Sequence, residues 1–71
     1  MSMNYAYNFA RIDSATNMCM AVQSSSSSEL GENWVRIPVY DEEYLFKYYN
    51  WDDEKFYYDA AYTQEFISAL L

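Results

Sequence analysis

Two aromatic runs separated by three acids dominate the second half of the chain, which reads KYYNWDDEKFYYD from Lys47 to Asp59. Alternation along an extended backbone places Tyr49 and Trp51 on one face of the first run. It likewise places Phe56 and Tyr58 on one face of the second run. The stretch therefore predicts a β-hairpin, in which each cross-strand aromatic pair contributes roughly 0.2–1 kcal/mol.

A second hairpin is predicted near the N-terminus. Tyr5–Ile12 alternates aromatic with small or polar residues, which is typical of a strand. The turn-forming cluster Asp13–Asn17 follows, and the apolar run Met18–Val22 supplies the return strand. The two runs are therefore expected to pair around a five-residue loop.

Between the hairpins we expect a loop and a single strand. Residues 23–33 contain a run of five serines and are predicted to form a flexible surface loop. Trp34–Tyr40 reads as a strand with its three β-branched residues on one face. Pro38 has no backbone N–H to donate, so this strand is an edge strand or ends there.

Helical signals occur at two places. Asp41–Phe46 is predicted to open a short helical turn with its acids at the N-terminal end. Thr63 is a candidate N-cap for a C-terminal helix of about two turns. Its apolar stripe would consist of Phe66, Ile67, Leu70 and Leu71. The predicted fold class is α+β: a small antiparallel sheet of two hairpins plus a middle strand, closed by one short C-terminal helix.

Length and composition limit the interactions that can stabilise this fold. With 71 residues, 52% of them hydrophobic, the chain is expected to form one small domain spanning residues 1–71. The lone Cys19 cannot close an internal disulfide, and the absence of histidine argues against a structural zinc site. Aromatic packing or self-association into a homo-oligomer is therefore expected to stabilise the fold.

Charge restricts the class of partner. Residues 29–71 hold ten acids and three bases, so the whole net charge of −7 lies there. Direct binding to nucleic acid or to an anionic membrane is disfavoured, because both require clustered Lys and Arg. No apolar run of membrane-spanning length occurs, and the N-terminus lacks the features of a secretory signal. A basic protein is the favoured partner.

Catalytic constellations are lacking, and we expect neither an enzyme nor a cofactor or metal. The serine run and Cys19 have no histidine to activate a nucleophile. The acidic triplets Asp41–Glu43 and Asp52–Glu54 are predicted to lie in exposed turns, which suits solvation or recognition better than general acid–base catalysis. An EF-hand alignment starting at Asp52 places Tyr57 where the loop requires glycine.

The nine tyrosines allow two interpretations. Large rings supply the buried area that a small sheet needs, so they belong to the core. Consecutive rings such as Tyr48 and Tyr49 must lie on opposite faces of a strand, however, and a small fold covers one face well. The second interpretation is that the other face presents Tyr and Trp as interface anchors.

The aromatic and apolar segments, taken together, resemble short open reading frames of phages and prophages of gut bacteria. The segments that carry this resemblance are Tyr5–Tyr7, Met18–Val22, Ile37–Tyr40, Lys47–Tyr49 and Lys55–Ala60. The resemblance implies either an inhibitor of host defence, in which carboxylates mimic DNA phosphates, or an accessory virion protein. It implies no catalytic residue.

The favoured function is a non-enzymatic phage-type binding protein that blocks a basic, nucleic-acid-binding surface of a host defence protein. A CRISPR effector is one candidate partner, which would make the chain an anti-CRISPR-like DNA mimic in the host cytoplasm. The predicted partner-binding residues are the two acidic triplets and three rings: Asp41, Glu42, Glu43, Asp52, Asp53, Glu54, Tyr49, Trp51 and Tyr57. The alternative is a tail-associated structural or assembly protein of the virion, which acts through strand addition at the edge of Trp34–Tyr40.

Overall fold

A computed structural model of the protein describes residues 7–71 and consists mostly of strands. Tyr5, which was expected to begin the first strand, lies outside the described residues. The described elements are β1 (Tyr7–Ile12), β2 (Cys19–Ser25), β3 (Trp34–Ile37), the 3-10 turn η1 (Glu42–Tyr44), β4 (Tyr48–Asn50), β5 (Lys55–Tyr57) and β6 (Glu65–Phe66).

The first three strands form the N-terminal sheet, in the order β2-β1-β3. β1 and β2 pair antiparallel, which confirms the first predicted hairpin, and a register shift interrupts the pairing at Arg11 and Ile12. β3 pairs antiparallel with β1 at the edge of the sheet and ends at Ile37, immediately before Pro38. The proline therefore has the predicted effect on this strand.

The last three strands form the C-terminal sheet, in the order β4-β5-β6. Its β4–β5 hairpin confirms the prediction from the aromatic runs. An isolated antiparallel bridge between Met18 and Tyr48 joins this sheet to the start of β2. Around it, the Cys19 N–H donates to the Lys47 carbonyl and the Tyr49 N–H donates to the Asn17 carbonyl, each at 2.8 Å. The two sheets are thus linked by backbone hydrogen bonds.

One buried cluster is shared by the two sheets. Its members are Ala10, Ile12, Cys19 and Ile37 from the N-terminal sheet, with Tyr44, Tyr49, Phe56 and Phe66 from the C-terminal half. Strand alternation places Phe9 on the other face of β1, where it is 1% exposed beside residues 28–32. β1 therefore buries both faces at Phe9 and Ala10, and its small and aliphatic side chains, Ala10 and Ile12, lie in the shared core.

The predicted C-terminal helix is wrong. Glu65 and Phe66 instead form β6, which pairs antiparallel with Tyr57 and Phe56 of β5. The Asp59 carboxylate accepts hydrogen bonds from the Thr63 N–H, the Thr63 hydroxyl and the Gln64 N–H. Thr63 is therefore engaged in a loop that turns the chain back toward β5, because pairing with an existing strand outweighs the weak local preference of a two-turn helix.

The side chains of the expected helical stripe consequently have different environments. Phe66 is buried, whereas Ile67, Leu70 and Leu71 are 62–67% exposed. Elsewhere, the predicted helical turn after Asp41 is present as η1. β2 continues through Ser25, so the first three residues of the predicted loop 23–33 belong to a strand.

Candidate docking surface

The tip of the β4–β5 hairpin presents three consecutive acids to solvent. Asp52, Asp53 and Glu54 are all exposed, in the four-residue turn that follows Asn50. The side-chain oxygen of Asn50 accepts a hydrogen bond from the Asp52 N–H at 2.9 Å, and the backbone carbonyl of Asn50 accepts one from the Glu54 N–H at 2.8 Å. Glu54 closes the turn in the left-handed region, with φ 59°. We call residues 51–54 the acidic tip.

Asp53 is used within the tip itself. One of its carboxylate oxygens accepts a hydrogen bond from the Lys55 N–H at 3.0 Å, and the other accepts from the Tyr57 hydroxyl. The second bond holds the phenol in its neutral form and raises the pKa of Tyr57 to about 12. Asp53 therefore orients the turn and the Tyr57 ring. For Asp52 and Glu54 the structure shows no side-chain hydrogen bond within residues 7–71, so their carboxylates are available to a partner.

Trp51 is a half-exposed ring fixed beside these acids. It is 44% exposed, and its ring packs edge-on against Tyr49 with centroids 4.9 Å apart. The indole N–H donates to the Asn17 side-chain oxygen at 3.1 Å. Because both contacts restrain the ring, Trp51 loses less conformational freedom on binding than a free side chain would.

Tyr49 has a structural role instead. It is 7% exposed and packs against Phe56 with ring centroids 4.8 Å apart. Burial, followed by the charges of Glu54 and Asp53, raises the pKa of the Tyr49 hydroxyl. Tyr49 therefore packs against the Trp51 ring from the interior and exposes little surface to a partner.

The first acidic triplet is divided between the interior and the surface. Asp41 is 7% exposed and caps η1 by accepting the Glu43 N–H at 2.9 Å. It also accepts the hydroxyl of buried Ser68, and these two bonds, with the Ser68 bond dominant, lower the pKa of Asp41. Glu42 and Glu43 are exposed. Asp41 thus ties η1 to the C-terminal segment, and its two neighbours remain on the surface.

The structure brings together one part of the predicted set. Its accessible members on the β4–β5 hairpin are Trp51, Asp52, Asp53, Glu54 and half-buried Tyr57. Glu42 and Glu43 lie on a different element, η1. Asp41 and Tyr49 are interior residues, a result that depends on long-range packing and has no local sequence signal.

One exposed ring with an unusual backbone, Phe46, has no signal in the sequence. Phe46 is 62% exposed and has φ 67°, a backbone conformation that residues other than Gly and Asn rarely adopt. Its N–H donates to the Cys19 carbonyl at 2.8 Å, which helps hold it at the junction of the two sheets. Within an aromatic-rich segment nothing local distinguishes this ring from a core residue.

The described residues offer neither a metal site nor an accessible thiol. Within residues 7–71, no group of three or more Cys, Asp or Glu side chains is placed to hold a metal ion. Cys19 is fully buried, and this burial raises the pKa of its thiol. In the part of the chain that the structure describes, no helix has the length and hydropathy needed to cross a membrane. No protein-family model, curated protein or solved structure matches this chain.

Proposed function

We propose that the protein is a binding module that docks its acidic tip on a basic, nucleic-acid-binding surface of another protein. The observation that carries this proposal is the pair of uncommitted carboxylates of Asp52 and Glu54, presented beside the half-exposed ring of Trp51. Carboxylates can occupy positions that phosphates take on such a surface, while a fixed aromatic ring supplies the central apolar contact of an interface.

The charge of the whole chain supports this mode of binding. A net charge of −7 on 71 residues attracts a basic surface at long range and speeds association. The bound protein would then exclude nucleic acid from the same surface by charge and by volume. A host defence protein such as a CRISPR effector nuclease is the partner class we propose, in keeping with the phage-like character of the sequence.

A matched pair of charge variants tests the proposal. The variant Asp52→Asn/Glu54→Gln removes two charges from the acidic tip, and Glu29→Gln/Glu32→Gln removes two from the loop after β2. Both variants have the same net charge. If the tip is the docking element, the first variant loses at least about tenfold in affinity for a purified CRISPR effector and the second loses about twofold or less. Equal losses would show that net charge alone drives binding.

Competition and salt dependence complete this test. The native chain should displace a fluorescent DNA duplex from the effector, and Trp51→Ala should displace it less well. Raising the salt concentration from about 50 to 500 mM should weaken binding strongly, because the Debye length shrinks about threefold. Binding that is unchanged over this range, or that leaves the DNA in place, would contradict phosphate mimicry.

One observation favours the alternative of a tail-associated or assembly protein. Within residues 7–71, β3 pairs on one side only, so its other side is a free sheet edge. Such an edge can accept a strand from another virion protein. This function predicts stable oligomers or particle association with little dependence on salt, which sedimentation at the two salt concentrations distinguishes from docking by charge.

A further inference from the structure

A groove of about 300 Å³ lies between the end of β3 and the β5–β6 part of the C-terminal sheet. Ile37 and Pro38 line one wall, and Glu65 and Ile67 line the other. The groove is thus bordered by one edge strand of each sheet, β3 and β6. Two free sheet edges beside one groove suit an extended peptide strand better than a compact ligand.

The register of β6 determines which of its backbone groups are free. The Tyr58 N–H donates to the Gln64 carbonyl, and Phe66 lies opposite Phe56. In an antiparallel pair, successive residues direct their backbone groups alternately toward the partner strand and away from it, so the Gln64 carbonyl and the backbone groups of Phe66 point toward β5. Glu65 and Ile67 therefore direct their N–H and C=O groups away from β5. Within residues 7–71 no strand pairs with that side of β6.

The groove also has an apolar interior. The side chains of Ile37, Tyr44, Phe56 and Phe66 all border it and are at most 7% exposed. Ile67 and Leu71 stand at its rim, 65% and 67% exposed. A strand with apolar side chains at every second position would direct them toward Ile37 and Phe66 while its backbone pairs with β6.

Charge and position connect the groove to the acidic tip. Glu54 belongs to the tip and also lines the groove, which Glu65 lines further along. Two bases line it as well, Arg36 and Lys55. The Arg36 guanidinium lies 4.3 Å from the centre of the Tyr7 ring, on the face of β3 opposite the core, so the groove itself retains two acids and one base, Lys55. A partner held at the acidic tip would therefore reach the groove directly, and the net charge of −7 favours basic residues in the approaching segment.

We propose that the groove binds an extended segment of the basic partner, in which basic and apolar residues alternate, as an added strand on β6. This inference rests on the proposed docking function and adds a second contact to it. The backbone groups of Glu65 and Ile67 pair with the segment. Its apolar side chains lie against Ile37 and Phe66, on the core side of β6, and its basic side chains lie on the opposite face, beside Glu65.

Nuclear magnetic resonance on the unmodified chain gives the first test. The probe is a short peptide of alternating lysine and valine, blocked at both ends, and the controls are a lysine–serine and a glutamate–valine peptide. The lysine–valine peptide should shift the amide signals of Glu65 and Ile67 and slow their hydrogen exchange. The lysine–serine peptide should shift only the signals of the acidic tip. A lysine–valine peptide that perturbs the tip alone, or nothing, overturns the inference.

A pair of variants separates backbone pairing from charge. Glu65→Pro removes the free N–H and the charge, whereas Glu65→Gln removes only the charge. Relative to Glu65→Gln, Glu65→Pro should weaken binding of the lysine–valine peptide about tenfold, the effect of one or two lost backbone hydrogen bonds. Equal binding by the two variants contradicts strand addition. The circular dichroism spectrum of each variant verifies its fold, and the measurement on the unmodified chain stands if Glu65→Pro is unfolded.

The two proposals fail in different ways. If Asp52→Asn/Glu54→Gln binds the effector as well as the native chain does, the docking function is wrong, whatever the peptide shows. If that variant loses affinity, Glu29→Gln/Glu32→Gln does not, and no peptide protects Glu65 and Ile67, docking at the tip stands and the groove inference is wrong.

Discussion

The N-terminal and C-terminal sheets reach stability by different means. Strands β1, β2 and β3 have six, seven and four residues, whereas β4, β5 and β6 have three, three and two. The longer strands supply a backbone ladder around small and aliphatic side chains. The shorter strands surround a group of edge-to-face rings. The centroid of the Tyr44 ring lies 4.8 Å from that of Phe56 and 5.0 Å from that of Phe66.

Carboxylates hold turns in both halves. In the N-terminal hairpin, Asp13 accepts hydrogen bonds from the N–H and the hydroxyl of Thr16. In the C-terminal half, carboxylates replace missing backbone pairs: Asp41 caps η1, Asp53 holds the hairpin turn, and Asp59 holds the loop before β6. Only some of the acidic residues are therefore available to a partner. A highly acidic short sheet can thus be stable and still present charge, because its acids divide between these two roles.

The largest expected effect comes from removing a ring at the centre of the shared core. Phe56→Ala should lower the free energy of unfolding by about 3–5 kcal/mol, because it leaves a cavity beside Tyr44 and Tyr49. Ile12→Ala, in the other sheet, should cost about 2–5 kcal/mol. Since both residues belong to one cluster, urea unfolding should remain a single transition by circular dichroism and by tryptophan fluorescence. Two separate transitions would show that the sheets unfold independently.

The next effect concerns the tie between η1 and the C-terminal segment. Asp41→Ala removes the cap and leaves the buried Ser68 hydroxyl without its acceptor, so the melting temperature should fall by about 4–8 °C or more. Glu42→Ala, on the exposed side of the same turn, is the matched control and should leave the melting temperature nearly unchanged. Similar shifts in the two variants would mean that the carboxylate of Asp41 has no special role.

The same carboxylates predict a pH dependence that belongs to the C-terminal half. The pKa values of Asp41 and Asp59 are lowered mainly by the hydroxyls of Ser68 and Thr63, so the unfolded chain binds protons more readily than the folded one. Their contribution to stability is therefore present above the ordinary aspartate pKa of 3.8 and is lost as the pH falls below it. Melting curves from pH 7 to pH 2 measure this loss. In Asp41→Asn/Asp59→Asn the fall should be shallower, and an unchanged slope would contradict the assignment.

A smaller effect is expected where the two sheets join. Phe46→Asn should raise the free energy of unfolding by about 1 kcal/mol, because asparagine tolerates the left-handed backbone better than phenylalanine and the exposed ring contributes little burial. Chemical denaturation measures this change. Phe46→Leu, which keeps the backbone strain, is the control and should show no gain. A loss of stability in the asparagine variant would mean that the ring packs more firmly than its exposure suggests.

Asp53→Asn, in the acidic tip, should change stability least, but it should clearly change the pKa of Tyr57. The Asp53 carboxylate raises the pKa of Tyr57 from 10.0 to about 12. In Asp53→Asn that pKa should fall toward 10.0, as followed by the Tyr57 ring signals during alkaline titration. The stability due to this interaction is complete below pH 10 and is lost as the pH rises toward 12, because the folded state retains the proton longer. A titration that Asp53→Asn leaves unchanged would remove Asp53 from its orienting role.

Much of the local structure could be predicted from single segments. Alternation identified β1, β4 and β5, the acids after β4 identified the hairpin turn, and Pro38 identified the end of β3. These features depend on residues within a few positions of each other, so they can be predicted from short segments of the sequence. The exposed acids of the tip belong to the same class, because charged turn residues have no strand neighbours to cover them.

The remaining features depend on contacts between distant segments. The sequence does have helical spacing at Phe66, Ile67, Leu70 and Leu71. Glu65 and Phe66 nevertheless pair with β5, and nothing in the spacing of residues 66–71 indicates that this strand is available. Burial of Asp41 involves Ser68, 27 positions away, and Tyr49 is buried in one cluster with Ile12 and Cys19 of the N-terminal sheet.

The sequence by itself thus determined where strands form, where they turn and how much charge the turns hold, because these properties arise from neighbouring residues. Tertiary structure alone decided that Asp41 and Tyr49 are buried, and it placed the edges of β3 and β6 beside one groove. Accessibility is set by what the rest of the folded chain covers, and no short stretch of sequence contains that information.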